Sequence, residues 1–286
     1  VKDLSVYVKF KVTNPEKVGL SGDVFLLAWT TTPWTLPGNV ALAVGEKVEY
    51  VGVRLDVKGN SSKGEIYIFA KERKESLEKV GKIESEIIGK SWKGADLVGL
   101  EYEPLYSFIK KSAVGTEKDK LANAFKVYSA DFVTTADGTG IVHIAPMYGQ
   151  DDFALGTDKQ LPKYHLVNDD GTFKNEAGSL SGLFVKDPET DVTIIKDLAG
   201  RNLLFAKEKY EHSYPHCWRC KTPLIYFARD SWYIRMSELR DNLVKENEGI
   251  NWEPSYIKEG RFGEWLREIK DWSISRERYW GTPLPI

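Results

Sequence analysis

The sequence predicts a mixed α/β chain that is mainly β: a β-barrel-like domain with peripheral short helices, then a smaller, partly helical C-terminal segment. Three observations carry this. Short apolar or alternating runs bounded by turn residues recur from Val1 to Lys209. Only two or three short helical patterns interrupt them, which argues against βαβ units. After Lys209 the texture changes, and six of the nine tryptophans fall between Trp218 and Trp280. The expected boundaries are therefore 1–209 and 210–286.

The elements follow in order. Val6, Val8, Phe10 and Val12 alternate with Tyr7, Lys9 and Lys11, which predicts a strand with one buried and one wet face. Two apolar runs, Val24 to Ala28 and Val40 to Val44, read as buried strands around a loop, Trp29-Thr30-Thr31-Thr32-Pro33-Trp34-Thr35-Leu36-Pro37-Gly38-Asn39. Its prolines end any ladder, and Thr32, preceding Pro33, is pushed toward extended geometry. Val48 to Leu55 and Glu65 to Ala70 read as a hairpin turning through Lys58-Gly59-Asn60-Ser61-Ser62. Lys71 to Val80 reads as a charged helix ending at Gly81, with short strands at Ile83–Ile88 and Phe125–Val133. Lys111 to Lys120 reads as a polar loop. Asp187-Pro188 opens a helix as N-cap and first residue, closed by Gly200, with Val192, Ile195 and Leu198 inward. Leu203 to Phe205 and Leu224 to Ile234 are strand candidates. Ser237 is the expected cap of a helix to Glu248, and Gly260 to Ile269 a second helix.

Composition narrows the class. Hydrophobic content of 42% and charged content of 29% are those of a globular chain. No apolar run approaches the ~20 residues of a membrane span, and no signal peptide opens the sequence. Two cysteines argue against a disulfide-built secreted protein, so the cytoplasm and a monomer without membrane contact are expected. A net charge of −2 gives no basic field, so any RNA contact must be local. The chain opens at Val1 without Met and stops at Ile286 after an apolar motif, which reads as a piece of a longer protein.

Two constellations carry chemistry. The threonine loop offers four hydroxyls and one carboxamide on a stiff frame, suited to a polar ligand without metal; threonine preference for strands alone would also give a β-corner. The second is Gly138-Thr139-Gly140-Ile141-Val142-His143-Ile144-Ala145-Pro146 with Gly149-Gln150-Asp151-Asp152-Phe153. A lone histidine such as His143 on that face is more often a hydrogen-bonded core residue than a catalyst. Asp151 and Asp152 open a short helix, where carboxylates also serve as caps. A third block, His212-Ser213-Tyr214-Pro215-His216-Cys217-Trp218-Arg219-Cys220, holds a C-x-x-C pair. Structural zinc wants four ligands; His216 adjoins Cys217, and His212 alone leaves three. Free thiols, or an incomplete site, are expected here.

The loop string TTTPWTLPGN closely resembles the threonine-rich editing peptide of isoleucyl-tRNA synthetases, and the second block resembles that family's H-x-A-P-x-x-G-x-[DE]-D motif. HSYPHCWRC and the later W-x-I-S-R-[QE]-R-x-W-G string, Trp272 to Gly281, are similar to the same enzymes. The resemblance implies an editing insertion plus a segment returning to an absent catalytic Rossmann domain. Thr32, Asn39 and Asp152 would then be catalytic, with Thr32 and Asn39 around the scissile ester and Asp152 holding the α-ammonium of the wrong amino acid. Trp29, Thr30, Thr31, Thr35 and His143 would bind substrate, His143 limiting side-chain size.

The resemblance also implies the need for such a site. A hydrophobic pocket resolves one methylene by only ~1–3 kcal/mol, a general figure for which isoleucine against valine is itself the standard example. The implied reaction is hydrolysis of valine from the 3′ end of tRNA(Ile), or of the valyl adenylate, with no cofactor needed in this chain. Partners would be that charged tRNA and the remainder of the synthetase. In the full-length enzyme a second cysteine pair could complete a zinc site with Cys217 and Cys220. The alternatives are a tRNA-docking insertion inactive by itself and a valyl-type editor that clears threonine. No H-x-G-H occurs, and Arg235-Met236-Ser237-Glu238 lacks the lysines of K-M-S-K-S, so the aminoacylation site is not expected here.

Overall fold

The alternation at the start becomes β1 (Lys2–Lys11), and the apolar runs beside the threonines become β2 (Val24–Thr30) and β3 (Ala41–Val44). The expected hairpin is β4 (Glu49–Asp56) with β5 (Ile66–Ala70), antiparallel from Tyr50 opposite Ala70 to Arg54 opposite Ile66. The computed structural model describes residues 1–56, 64–276, 281, 283 and 284, so the expected Lys58–Ser62 turn, and part of the Trp272–Gly281 motif, lie outside the described residues. The charged helix is α1 (Lys74–Gly81), followed by β6 (Glu84–Lys93) and α2 (Gly94–Leu97). The expected polar loop is instead two helical turns, α3 (Phe108–Ser112) and α4 (Gly115–Asp119), with Ile109 and Ala113 buried. Then come β7 (Lys126–Ser129), β8 (Ile141–Ile144) and α5 (Gln150–Asp158). Finally α6 (Pro188–Gly200) starts where the sequence placed it: Asp187 Oδ1 accepts from the Glu189 N–H at 2.9 Å. β9 (Leu204–Glu211) follows.

Six strands form an open sheet in the order β6-β4-β5-β2-β1-β9, and three form a second in the order β7-β3-β8. The architecture is mixed α/β and mainly strand, as expected, but these strands close no barrel among the described residues. One core lies between the sheets, from Val8, Phe10, Leu26 and Ala28 to Leu42, Val44 and Ile144. A second, with Tyr7, Phe25, Leu27, Val53, Tyr67 and Leu77, covers the other face of the large sheet. The expected wet face of β1 is therefore dry: Tyr7 and Lys9 are 3% and 2% exposed. A period of two identifies the alternation, but whether the second face meets water depends on α1, which brings Leu77 over it.

The chain divides into two compact units, Val1–Ala228 and Arg229–Ile286. In the second, β10 (Tyr233–Ile234) pairs with β11 (Trp272–Ser273), the two strands being separated in sequence by α7 (Arg240–Glu248), α8 (Tyr256–Glu259) and α9 (Arg261–Arg267). Only the last two residues of the expected strand Leu224–Ile234 are strand; Leu224 and Ala228 each donate to an isolated carbonyl, of Pro215 and Met147. Ser237 lies inside a 3₁₀ turn, Met236–Leu239, and its hydroxyl donates to Asp271 Oδ1 at 2.6 Å rather than capping α7.

Candidate functional site

The threonine stretch crosses from one sheet to the other, leaving β2 in the six-stranded sheet and entering β3 in the three-stranded one. Between them it is not an open loop but a 3₁₀ helix, Pro33–Gly38, buried along its whole length. Proline at its first position needs no N–H partner there, which suits the start of a helix. Val40 N–H then donates to Ile144 O at 2.9 Å, and β3 runs antiparallel to β8 with Leu42 opposite His143. That register brings the two sequence blocks together.

Their side chains form a continuous hydrogen-bonded chain. Thr30 Oγ1 lies 3.1 Å from Thr32 Oγ1, which lies 3.4 Å from Thr35 Oγ1, which lies 3.0 Å from His143 Nε2. Thr35 donates its hydroxyl proton to Thr32 O at 2.8 Å. With that proton used, the imidazole bond takes Nε2–H as donor, leaving Nδ1 a bare acceptor with no partner among the described residues. Burial lowers the His143 pKa to about 4, so the ring is neutral and a poor proton acceptor at neutral pH.

Asp152 stands in the first turn of α5. It does not cap that helix by the usual route: its Oδ2 accepts from the Ala145 N–H at 2.9 Å, two residues beyond His143. A Cβ on Gly149 would lie 2.9 Å from the Asp152 carboxyl carbon, so glycine there permits the approach. Burial raises the Asp152 pKa to about 6, more than the Ala145 bond lowers it. Among the described residues no cation pairs with it. This is a carboxylate held short of the partner that would stabilise its charge.

The other expected site residues are placed as follows. Thr31 is half-buried beside Thr32. Trp29 is also half-buried, its ring edge-on to Tyr210 at 5.0 Å and pressed against Gly138, where a Cβ would lie 2.9 Å away. Asn39 is 4% exposed and engaged at both ends of its amide: Nδ2 donates to Ala41 O at 2.8 Å, and Oδ1 accepts from Tyr102 OH at 2.7 Å. Its side chain locks the exit of the 3₁₀ helix. Tyr102 and Tyr148 were not singled out in the sequence. Tyr148, at an unspecified position of the second block, packs edge-on against Trp34 at 5.2 Å, and a Cβ on Gly38 would lie 2.9 Å from its ring and 3.8 Å from the Ala145 Cβ. Tyr102 has no local signal, since only the fold brings it to Asn39.

Cys217 and Cys220 are free thiols, and no group of three or more His, Cys, Asp or Glu able to hold a metal occurs among the described residues. His216 Nδ1 faces Tyr214 O at 2.9 Å and His212 Nε2 faces Asp3 at 3.1 Å. The pair supplies at most half of a tetrahedral zinc site. Thr222 hydrogen bonds lower the Cys220 pKa to about 7.

A sequence model of the family tRNA synthetases class I (I, L, M and V) matches residues 25–286. The isoleucine–tRNA ligase of Clostridium acetobutylicum is 47% identical over 286 residues, covering all of this chain and 25% of the ligase. That of Treponema denticola is 44% identical over 303 aligned residues, covering 100% and 27%. The chain thus spans about a quarter of the length of the curated relatives it matches. The GlLeuRS-CP1 crystal structure superposes with a TM-score of 0.51 at 16% identity, over 72% of this chain and 100% of that one. The P. knowlesi cytosolic leucyl-tRNA synthetase editing domain gives 0.53 at 11% identity, over 72% and 97%. At those identities the likeness to the solved structures is one of fold.

Proposed function

Because the chain belongs to the class I tRNA synthetase family (I, L, M and V), we propose that it is the editing region of an isoleucine-specific member, removing valine from wrongly charged tRNA(Ile). The observation that carries this is the hydroxyl chain Thr30–Thr32–Thr35–His143, together with the Asp152 carboxylate that accepts from Ala145, two residues beyond His143, and pairs with no cation among the described residues. The amino-acid end of a charged tRNA presents an α-ammonium next to an ester, and Asp152 is the group to pair with the ammonium. Thr32 and its neighbours then orient a water and the ester carbonyl. An aminoacyl ester is already activated, so positioning and hydrogen bonds to the developing oxyanion suffice. His143, neutral and bonded to Thr35, sets the size of the side-chain pocket and does not serve as base. Valyl adenylate presents the same ammonium and an activated carbonyl, and is proposed as a second substrate.

The rest of the synthetase and the tRNA acceptor end are the proposed partners, and any zinc at Cys217 and Cys220 would need donors from outside this chain. The experiment is deacylation of valyl-tRNA(Ile) beside isoleucyl-tRNA(Ile) by the 286-residue chain. Clearance of valine with isoleucine spared is the expected result. Absence of clearance by folded chain would favour a tRNA-docking insertion, and preferential clearance of threonyl-tRNA(Val) a valyl-type editor.

A further inference from the structure

Asn39 ends the 3₁₀ helix of the threonine loop, its backbone already extended at φ −63° and ψ 132°. A side-chain amide has four hydrogen-bonding positions, two N–H donors and two lone pairs on oxygen. Two of them are spent inside the protein: Nδ2 donates to Ala41 O at 2.8 Å, and Oδ1 accepts from Tyr102 OH at 2.7 Å. These partners fix which end is which. Turned over, the amide would set its oxygen against the Ala41 carbonyl, two acceptors with no proton between them. Tyr102 keeps its proton, because burial holds its pKa well above the ordinary 10.0, so its hydroxyl is a standing donor. The tyrosine is itself held by its neighbours. Its N–H donates to Phe125 O at 3.0 Å, and the Phe125 N–H donates to the carbonyl of Val40, next to Asn39, at 2.6 Å. Its ring, 3% exposed, stands edge-on to Phe10 at 5.3 Å and to Phe125 at 6.1 Å.

We propose that Tyr102 is a positioning residue for the editing site: by committing the Asn39 oxygen, it makes the spare Nδ2 hydrogen the group that Asn39 presents to the ester oxygen. The inference rests on the editing reading and deepens it. Asn39 becomes a donor to the developing oxyanion, and that donor has a support 63 residues away in the chain. A donor aimed before the reaction begins costs no reorganisation when charge develops, which is what such a support supplies. Without the Tyr102 hydroxyl, Oδ1 is a buried acceptor lacking its partner, and the amide is held at one end only, by Ala41 O.

The test compares Tyr102→Phe, Asn39→Ala and the double variant with the unaltered chain in valyl-tRNA(Ile) deacylation, alongside NMR of the Asn39 side-chain amide. Phenylalanine keeps the ring packing and removes the hydroxyl alone. Loss of one hydrogen bond between neutral groups predicts that Tyr102→Phe lowers kcat about fivefold while KM stays within about twofold. In the Asn39→Ala chain the same substitution is expected to change kcat by less than about twofold, because the group it acts through is gone. A Tyr102→Phe chain with unchanged kcat, or the full loss repeated in the Asn39→Ala chain, overturns the proposal. If the Asn39→Ala chain does not fold or is too slow to assay, the amide signals decide. A lower kcat with shifted, faster-exchanging Asn39 Nδ2 protons supports the proposal, and a lower kcat with those signals unmoved sinks it. Should the unaltered chain deacylate nothing, the editing reading fails, and the signals judge the clamp alone: a shift on Tyr102→Phe sustains it, no shift removes it.

Discussion

Asp152 is a carboxylate whose surroundings oppose its charge, and that has consequences at the scale of one residue. Its pKa is about 6 in the folded chain against an ordinary 3.8. Between those values the folded chain holds a proton that the unfolded chain has lost. Stability therefore falls as pH rises through that window, and the cost is complete above about pH 6. Asp152→Asn is expected to stabilise the chain at pH 7 by about 1–2 kcal/mol, once partial exposure is allowed for. The gain should vanish below about pH 4, as urea unfolding across pH would record. On the proposed pairing of Asp152 with the α-ammonium, the same substitution should lower kcat/KM for valyl-tRNA(Ile) by about tenfold to a hundredfold. On that proposal kcat/KM of the unaltered chain should rise as pH climbs through about 6, because the ionised carboxylate is the form that would bind the cation. Thr32, Thr35, His143 and Asp152 were all legible in the sequence as residues of a candidate site, since two short motifs hold them. The tautomer of His143 and the two-ended lock on Asn39 were not. Each depends on a partner far away in the chain: Thr35 and Tyr102.

At the scale of elements, β1 is the informative case. Its alternation is plain, yet Lys9 is buried against Glu65 at 2.9 Å, with its ammonium 4.9 Å from the Phe25 ring. Glu65 also accepts from Tyr67 and from Asn202 Nδ2 at 3.2 Å, so the buried charge is fully met. Lys9→Ala should destabilise the chain by about 3–5 kcal/mol, because it strands a buried carboxylate. Lys9→Met with Glu65→Gln should recover most of that, since both charges are removed at similar volume and the glutamine oxygen still accepts from Tyr67 and Asn202. Chemical denaturation of the three chains checks both statements. The helix at Pro188–Gly200 was readable to the residue because Asp-Pro and a terminal glycine act locally. The strand proposed for Leu224–Ile234 failed for the opposite reason. β propensity does not make a strand without an edge to pair with, and only Tyr233 and Ile234 find one, in β11.

At the scale of the molecule the question is where a stable piece ends. The texture of the sequence changes at Lys209, but that position lies inside β9, which pairs with β1 as far as Glu211 opposite Lys2. Beyond it, Phe227 stacks on His165 at 4.1 Å, and the Ala228 N–H donates to Met147 O at 2.9 Å. A chain ending at Ala228 is expected to melt cooperatively, near the melting temperature of the first unit in the whole chain. One ending at Lys209 loses the end of β9 and the cover over Tyr148, and should melt several degrees lower, by about 2–4 °C for each kcal/mol lost. Calorimetry of the two truncations separates these boundaries. The second unit has its own small core, in which Leu266 and Ile269 are buried and Trp252 Nε1 donates to Asn247 at 2.8 Å.

The sequence by itself determined the class of structure, the ends of the best-capped helix, the family and the two motifs of the candidate site. These are written in neighbouring residues: alternation, capping and short strings whose chemistry is local. Only the tertiary structure decided that the sheets stay open and that both faces of β1 are dry. It also decided that the threonine loop is a buried 3₁₀ helix and that a distant tyrosine holds the Asn39 amide at its exit. Those outcomes depend on which surfaces meet, and burial, desolvation and shared hydrogen bonds arise between segments that no local pattern connects.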